Sequence, residues 1–102
     1  EIGDDLCLIV SGGDAPHIGC VTLSTPRPSL SDKDIISSTS SVLNRIGHKD
    51  DEVGRYISEK LSAKLNKYVA VICGIHVDNI TQDEIVQVMD SLNELISNFD
   101  NI

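Results

Sequence analysis

The pattern of apolar runs and turn residues predicts an α+β fold. It is a mainly antiparallel β-sheet with two helices packed against it, in the order β-β-β-α-β-α. Three observations lead there. A strand-like run near the start is followed at once by Ser11-Gly12-Gly13-Asp14, a turn signal that points to a hairpin. A second dense β-branched run, Tyr68 to Val77, lies between two segments of helical spacing. The single β-α-β crossover is too little for a doubly wound nucleotide-binding sheet. At 102 residues the chain is one domain, 1–102, because either half alone is too small to bury a stable core.

Asp5 to Ser11 opens the order with Leu6-Cys7-Leu8-Ile9-Val10, apolar on both faces. Such a strand expects cover on both sides of its sheet, or burial of one face in a subunit contact. The next strand runs from about His17 to Ser24, where Gly19 suits a bulge or a close backbone neighbour. Thr25-Pro26-Arg27-Pro28-Ser29-Leu30-Ser31-Asp32 reads as an irregular extended loop, since two prolines at i, i+2 remove backbone donors. Ile35 to Leu43 is a weak third strand. Its hydroxyl-rich centre, Ser37-Ser38-Thr39-Ser40-Ser41, places it toward an edge or along a polar groove.

Gly47-His48-Lys49-Asp50-Asp51 leads into the first helix, and acidic residues suit the positive end of a helix dipole. Val53, Tyr56, Ile57, Leu61 and Leu65 form its apolar stripe, and Asn66 and Lys67 close it. Val69-Ala70-Val71-Ile72-Cys73 then predicts a central strand. In the last helix Thr81 and Glu84 form a T-x-x-E capping box, with Ile80 and Ile85 as a hydrophobic staple. Ile85, Val88, Met89, Leu92, Leu95, Ile96 and Phe99 continue as one apolar stripe expected to be buried.

Sixteen acidic against eight basic residues give a net charge of −8, which disfavours nucleic acid and anionic membrane surfaces as partners. No apolar run approaches the roughly 20 residues that span a bilayer, and no signal peptide opens the sequence. Cys7, Cys20 and Cys73 sit among apolar neighbours without C-x-x-C spacing, so they read as buried free thiols in a reducing cytoplasm.

Three histidines, His17, His48 and His76, carry no metal-ligand spacing, so no metal site is expected. His48 with Asp50 and Asp51 admits an acid–base reading, but helix-entry hydrogen bonding explains it more simply. His76-Val77-Asp78-Asn79 is likewise a strand-to-helix turn. No nucleophile elbow, phosphate loop or dinucleotide fingerprint occurs, and no catalytic constellation is visible. Arg27 and the serine-rich strand admit a reading as the polar part of a groove or docking surface, but a solvated loop beside an edge strand explains them slightly better.

Four segments carry a resemblance. They are Thr22-Leu23-Ser24-Thr25-Pro26-Arg27-Pro28-Ser29-Leu30, Ser38-Thr39-Ser40-Ser41-Val42-Leu43-Asn44, Gly47-His48-Lys49-Asp50-Asp51 and Gly74-Ile75-His76-Val77-Asp78-Asn79. In this order they resemble a bacterial family described as proteasome assembly chaperone 4-like, or as prenylated-flavin chaperone-like after the accessory D subunit of gallate decarboxylase. The resemblance implies a sheet packed with two helices, a homodimer, and a non-catalytic role beside a decarboxylase that uses prenylated flavin mononucleotide. That cofactor would be bound in transit and would not be intrinsic. Arg27, His48, Lys49, Asp50, His76, Asp78 and Asn79 are the surface it nominates. Two alternatives stand beside it: a general protein-assembly chaperone, and a small enzyme using His48 or His76 with a neighbouring Asp.

Overall fold

A computed structural model describes residues 1–45, 50–76 and 80–99. The expected order is present: β1 (Leu6–Gly13), β2 (Cys20–Pro28), β3 (Ile36–Asn44), α1 (Asp50–Leu65), β4 (Val69–His76) and α2 (Gln82–Ser97). The strands form one mixed sheet in the order β1-β4-β2-β3. β4 is central, and β3 lies at an edge. Two of the three pairings, β2 with β3 and β2 with β4, are antiparallel, while β1 runs parallel to β4.

The leading hairpin is not formed. β4 lies between β1 and β2, so Ser11–Asp14 does not turn one strand onto the next. The chain instead passes from β1 to β2 across the end of β4. Gly74 is where it crosses: a Cβ there would fall on the His17 carbonyl oxygen and 2.5 Å from its carbon. The strap, residues 14–19, is tied down by Gly19 N–H donating to the Cys73 carbonyl at 2.9 Å. Arg45 donates its backbone N–H to the Gly19 carbonyl at 2.9 Å and its guanidinium to the Ile18 carbonyl at 2.9 Å. The hairpin in this fold is β2–β3, closed by residues 29–35.

The Pro-rich segment also departs from its expected loop form. Pro26, Arg27 and Pro28 belong to β2 and face Ser38, Ser37 and Ile36 of β3. β4 accompanies β2 only from Cys20 to Ser24, so beyond Ser24 that side of β2 is free. Ser29 donates to the Ile35 carbonyl at 2.7 Å, which sets the odd-numbered N–H groups toward β3. The two prolines therefore lack donors only on the free margin, where a strand tolerates them.

Both helices lie on one face of the sheet. α1 covers β2, β3 and β4, with Ile57 and Leu61 fully buried against Val69, Val71, Cys20 and Cys73. It approaches closely because Gly54, Ser58 and Ser62, spaced four apart, are also buried. A Cβ on Gly54 would lie 2.7 Å from Cys20 Sγ. The seam is polar yet satisfied: Thr22 donates to the Gly54 carbonyl at 3.3 Å and Ser24 to Ser58 Oγ at 2.8 Å. Ser38 and Ser40 of β3 donate to the carbonyl and carboxylate of Glu59 at 2.8 and 2.6 Å. Among the described residues no buried side-chain polar atom lacks a partner. α1 ends at Asn66, whose φ of 54° is the left-handed conformation that asparagine tolerates.

α2 begins as its sequence requires. Thr81 accepts from the Glu84 N–H at 3.2 Å, and Glu84 accepts from the Thr81 N–H at 3.2 Å. Its stripe is less deeply buried than expected. Leu92 alone of the stripe is buried, while Val88, Met89, Leu95, Ile96 and Phe99 are half-buried and Ile85 is exposed. Among the described residues no α2 Cα comes within 8 Å of a strand Cα, whereas α1 sits that close to three strands. Lys64 of α1 ties the end of α2 by donating to the Ile96 and Ser97 carbonyls at 2.9 and 3.2 Å.

Cysteine burial is also corrected. Cys20 and Cys73 are buried, but Cys7 is exposed, because the outward face of β1 has no layer over it.

Candidate functional site

One end of the sheet holds the start of α1 and the end of β4, and with them Asp50 and His76. Cys20, at the start of β2, faces Asn44 near the end of β3 and Cys73 near the end of β4. Beyond Cys73 the β4 segment Gly74–His76 is paired only with Ser11–Gly13 of β1. The carboxyl ends of β1, β3 and β4 therefore converge here, together with the strap. Both helices begin at this end, α1 at Asp50 after β3 and α2 at Gln82 after β4. Carboxyl strand ends flanked by helix starts are where open α/β sheets hold ligands, and the positive helix termini favour an anionic group.

Between the β1–β4 extension and α2 lies a cleft of about 550 Å³. Val10 and Ile75 form its sheet wall, and Val88, Leu92 and Leu95 form its helix wall. Ser11, Gly12 and Gly13 supply backbone along one side, while Glu84, Gln87 and Ser91 supply polar groups at the rim. The stand-off of α2 from the sheet creates this space. It falls in the range of roughly 300–1,000 Å³ typical of small-molecule sites and has their mix of apolar wall and few polar groups.

The nominated residues divide. Asp50 is the first residue of α1 and His76 the last of β4, so both belong to this end. His48, Lys49, Asp78 and Asn79 lie outside the described residues. Arg27 is elsewhere: it lies near the far end of β2, seven residues and about 23 Å of strand from Cys20. Its Nε donates to Thr39 Oγ1 at 2.6 Å and its Nη1 to the Pro28 carbonyl at 3.0 Å. Ser38 and Ser40 of the hydroxyl-rich strand face α1, while Arg27 joins Ser37 and Thr39 on the opposite face of that strand. A separate cleft of about 180 Å³ between β3 and α1 is lined by Ser37, Ser38, Tyr56, Glu59, Lys60 and Ala63. His17 lies in the strap, where its Nδ1 is 2.8 Å from the Ala15 carbonyl oxygen.

Sequence reasoning assigned Val10, Val88, Leu92 and Leu95 to a closed core and Gly12-Gly13 to a turn. The available signal was the glycine pair at the end of an apolar strand, which leaves backbone open to a ligand: a Cβ on Gly12 would meet nothing within 4 Å.

The sequence pattern of the family described as the prenylated flavin chaperone LpdD-like domain matches residues 1–101, and the chain belongs to that family. It is also 33% identical over 100 residues to Protein LpdD of Lactiplantibacillus plantarum, covering 92% of this chain. The aligned part is 65% of that relative's length, so the chain spans just under two-thirds of it. These two likenesses carry the flavin-chaperone side of the resemblance and not its proteasome side. Among the described residues no helix is long and apolar enough to cross a membrane.

Proposed function

We propose that this chain is a non-catalytic accessory protein of the cytoplasm that holds prenylated flavin mononucleotide in transit to a decarboxylase. The observation that carries the reading is that the start of α1 at Asp50, the end of β4 at His76, the apolar cleft and the start of α2 lie at one end of the sheet. A flavin mononucleotide joins a flat, largely apolar ring system to a phosphate. Val10, Ile75, Val88, Leu92 and Leu95 would pack on the ring, widened by its prenyl-derived ring, and the helix starts would favour the phosphate. Glu84, Gln87 and Ser91 would set orientation at the rim. The cofactor supplies electrophilic chemistry only once it is in the decarboxylase; here the chain's residues bind, orient and shield it. An exposed free thiol at Cys7 agrees with a reducing compartment.

The test is transfer. Reduced prenylated flavin mononucleotide, limiting and kept anaerobic, is supplied to a cognate apo-decarboxylase with and without this chain. The expected result is faster and more complete loading of the flavin onto the decarboxylase when the chain is present. Equal yields in both arms, with no binding of the chain to flavin or apo-enzyme, would remove the proposal. Turnover of a substrate by the chain alone, lost on His48→Ala or His76→Ala, would replace it with the enzyme reading.

A further inference from the structure

β3 is an edge strand that the sequence leaves unguarded. Its register with β2 runs unbroken from Ile36 to Asn44, and it holds no proline and no charge. Edges are normally blunted by such features, because unpaired N–H and C=O groups are a template for another strand. Ser29 N–H donates to the Ile35 carbonyl and Arg45 N–H to the Gly19 carbonyl, so the odd-numbered residues of β3 are the ones bonded to β2. The N–H and C=O groups of Ile36, Ser38, Ser40 and Val42 therefore point away from the sheet, and among the described residues no strand lies beyond them. Beside this edge is the cleft of about 180 Å³ between β3 and α1, with Tyr56, Lys60 and Ala63 in its helix wall. Lys60 Nζ lies 5.8 Å from the centroid of the Tyr56 ring, while the Glu59 carboxylate is turned to Ser40. Charge is divided sharply along the chain. Residues 26–45 and 53–67, which hold the end of β2, all of β3 and most of α1, contain seven of the eight basic residues and three of the sixteen acidic ones.

We infer that the groove between the β3 edge and α1 takes an extended acidic segment of a partner protein, added to the sheet as a further strand. In this mode main-chain hydrogen bonds supply affinity, and pockets for alternate side chains supply selectivity. Every second side chain of an added strand stands on the α1 side, beside the row of Ser38 and Ser40. One of them enters the cleft, where Lys60 selects a carboxylate. Charge also decides between occupants. A second copy pairing through its own β3 would bring two basic surfaces together, and a basic segment would meet Lys60. β1, the opposite edge strand, follows Glu1, Asp4 and Asp5, so the same acidic segment is repelled there. The inference does not rest on the flavin reading, because this groove shares no lining residue with the cleft beside α2.

Two blocked peptides of about eight residues test it, one alternating valine with glutamate and the other valine with lysine. Each is titrated into the 102-residue chain and followed by amide NMR spectra and hydrogen exchange. The glutamate peptide is expected to bind saturably with a Kd of about 100 µM or tighter, and the lysine peptide about tenfold more weakly or worse. The amides of Ser38, Ser40 and Val42 exchange fast in the free chain and become protected on binding, whereas those of Thr39 and Ser41 are protected throughout. Lys60→Glu changes an exposed side chain, so it keeps the wild-type circular dichroism, weakens the glutamate peptide by about tenfold and strengthens the lysine peptide. Ser40→Pro deletes one outward N–H and weakens both peptides, while Ser40→Ala, which loses only the hydroxyl, retains binding. No saturable binding of the glutamate peptide, equal affinity for the two peptides, or unchanged affinity in Lys60→Glu would each overturn the inference. So would protection of the even-numbered β3 amides in the free chain, which would show that a second copy or another segment of this chain already holds the edge.

Discussion

Gly74→Ala isolates the feature on which the sheet order depends. β1 and β2 are separated by β4, so the strap joining them must cross β4, and it crosses where position 74 has no side chain. An alanine Cβ would stand 2.5 Å from the His17 carbonyl carbon, against an ordinary carbon contact of about 3.5–4.0 Å. The strap must lift by about 1 Å or more, and the obstacle is backbone that cannot rotate aside. Overpacking of this kind costs about 1–3 kcal/mol. The lift also strains the Gly19–Cys73 hydrogen bond, worth about 1 kcal/mol. The total, about 2–4 kcal/mol, is a large share of the roughly 5–15 kcal/mol that holds a domain of this size. Urea unfolding followed by circular dichroism reads the loss directly, with Gly12→Ala as the control: its Cβ meets nothing within 4 Å and should shift stability by less than about 1 kcal/mol. Equal midpoints for Gly74→Ala and the wild type would refute the strap crossing and the strand order with it.

Two further stability changes follow from the helices. Gly54→Ala gains about 1 kcal/mol of helix propensity but drives its Cβ into Cys20 Sγ at 2.7 Å, so it should destabilise the wild type and become neutral or stabilising on a Cys20→Ala background. A double-mutant cycle by denaturant titration should show coupling of about 1 kcal/mol or more. Thr81→Ala removes the acceptor for the Glu84 N–H and should cost about 1 kcal/mol in the same assay.

Local chemistry was legible in the sequence, and long-range placement much less so. The capping box of α2 needs only residues three apart, and Thr81 and Glu84 form it as read. The apolar run Val69 to Cys73 predicts a central strand and β4 is one, whereas the equally apolar Leu6 to Val10 run forms the edge strand β1. Pro26 and Pro28 could not be read as strand because their tolerance depends on β4 parting from β2 at Ser24, a fact of register. The hairpin expectation failed for a similar reason: a glycine pair marks where a strand ends but not whether the next strand pairs beside it. Gly54, Ser58 and Ser62 escaped because an apolar count gives no weight to small polar residues, although their spacing of four was present.

The candidate site was half visible. The sequence singles out Asp50 and His76, and the strand order sets the start of α1 and the end of β4 at the same sheet end. The resemblance groups Arg27 with them, and the antiparallel course of β2 carries it to the other end. The cleft was invisible because its walls, Val10, Ile75, Val88, Leu92 and Leu95, have the spacing of ordinary core residues. Only the distance of α2 from the sheet turns that core into a cleft.

The most direct measurement is an anaerobic titration of this chain with reduced prenylated flavin mononucleotide, followed by calorimetry, with the flavin recovered and weighed by mass spectrometry. Saturable binding is expected, with the flavin recovered unchanged. Ser91→Trp, which fills the cleft from its rim without touching the core, should weaken that binding by about tenfold or more. Absence of saturable binding, equal affinity in the tryptophan variant, or a chemically altered flavin would contradict a domain that carries its ligand in this cleft and leaves it intact.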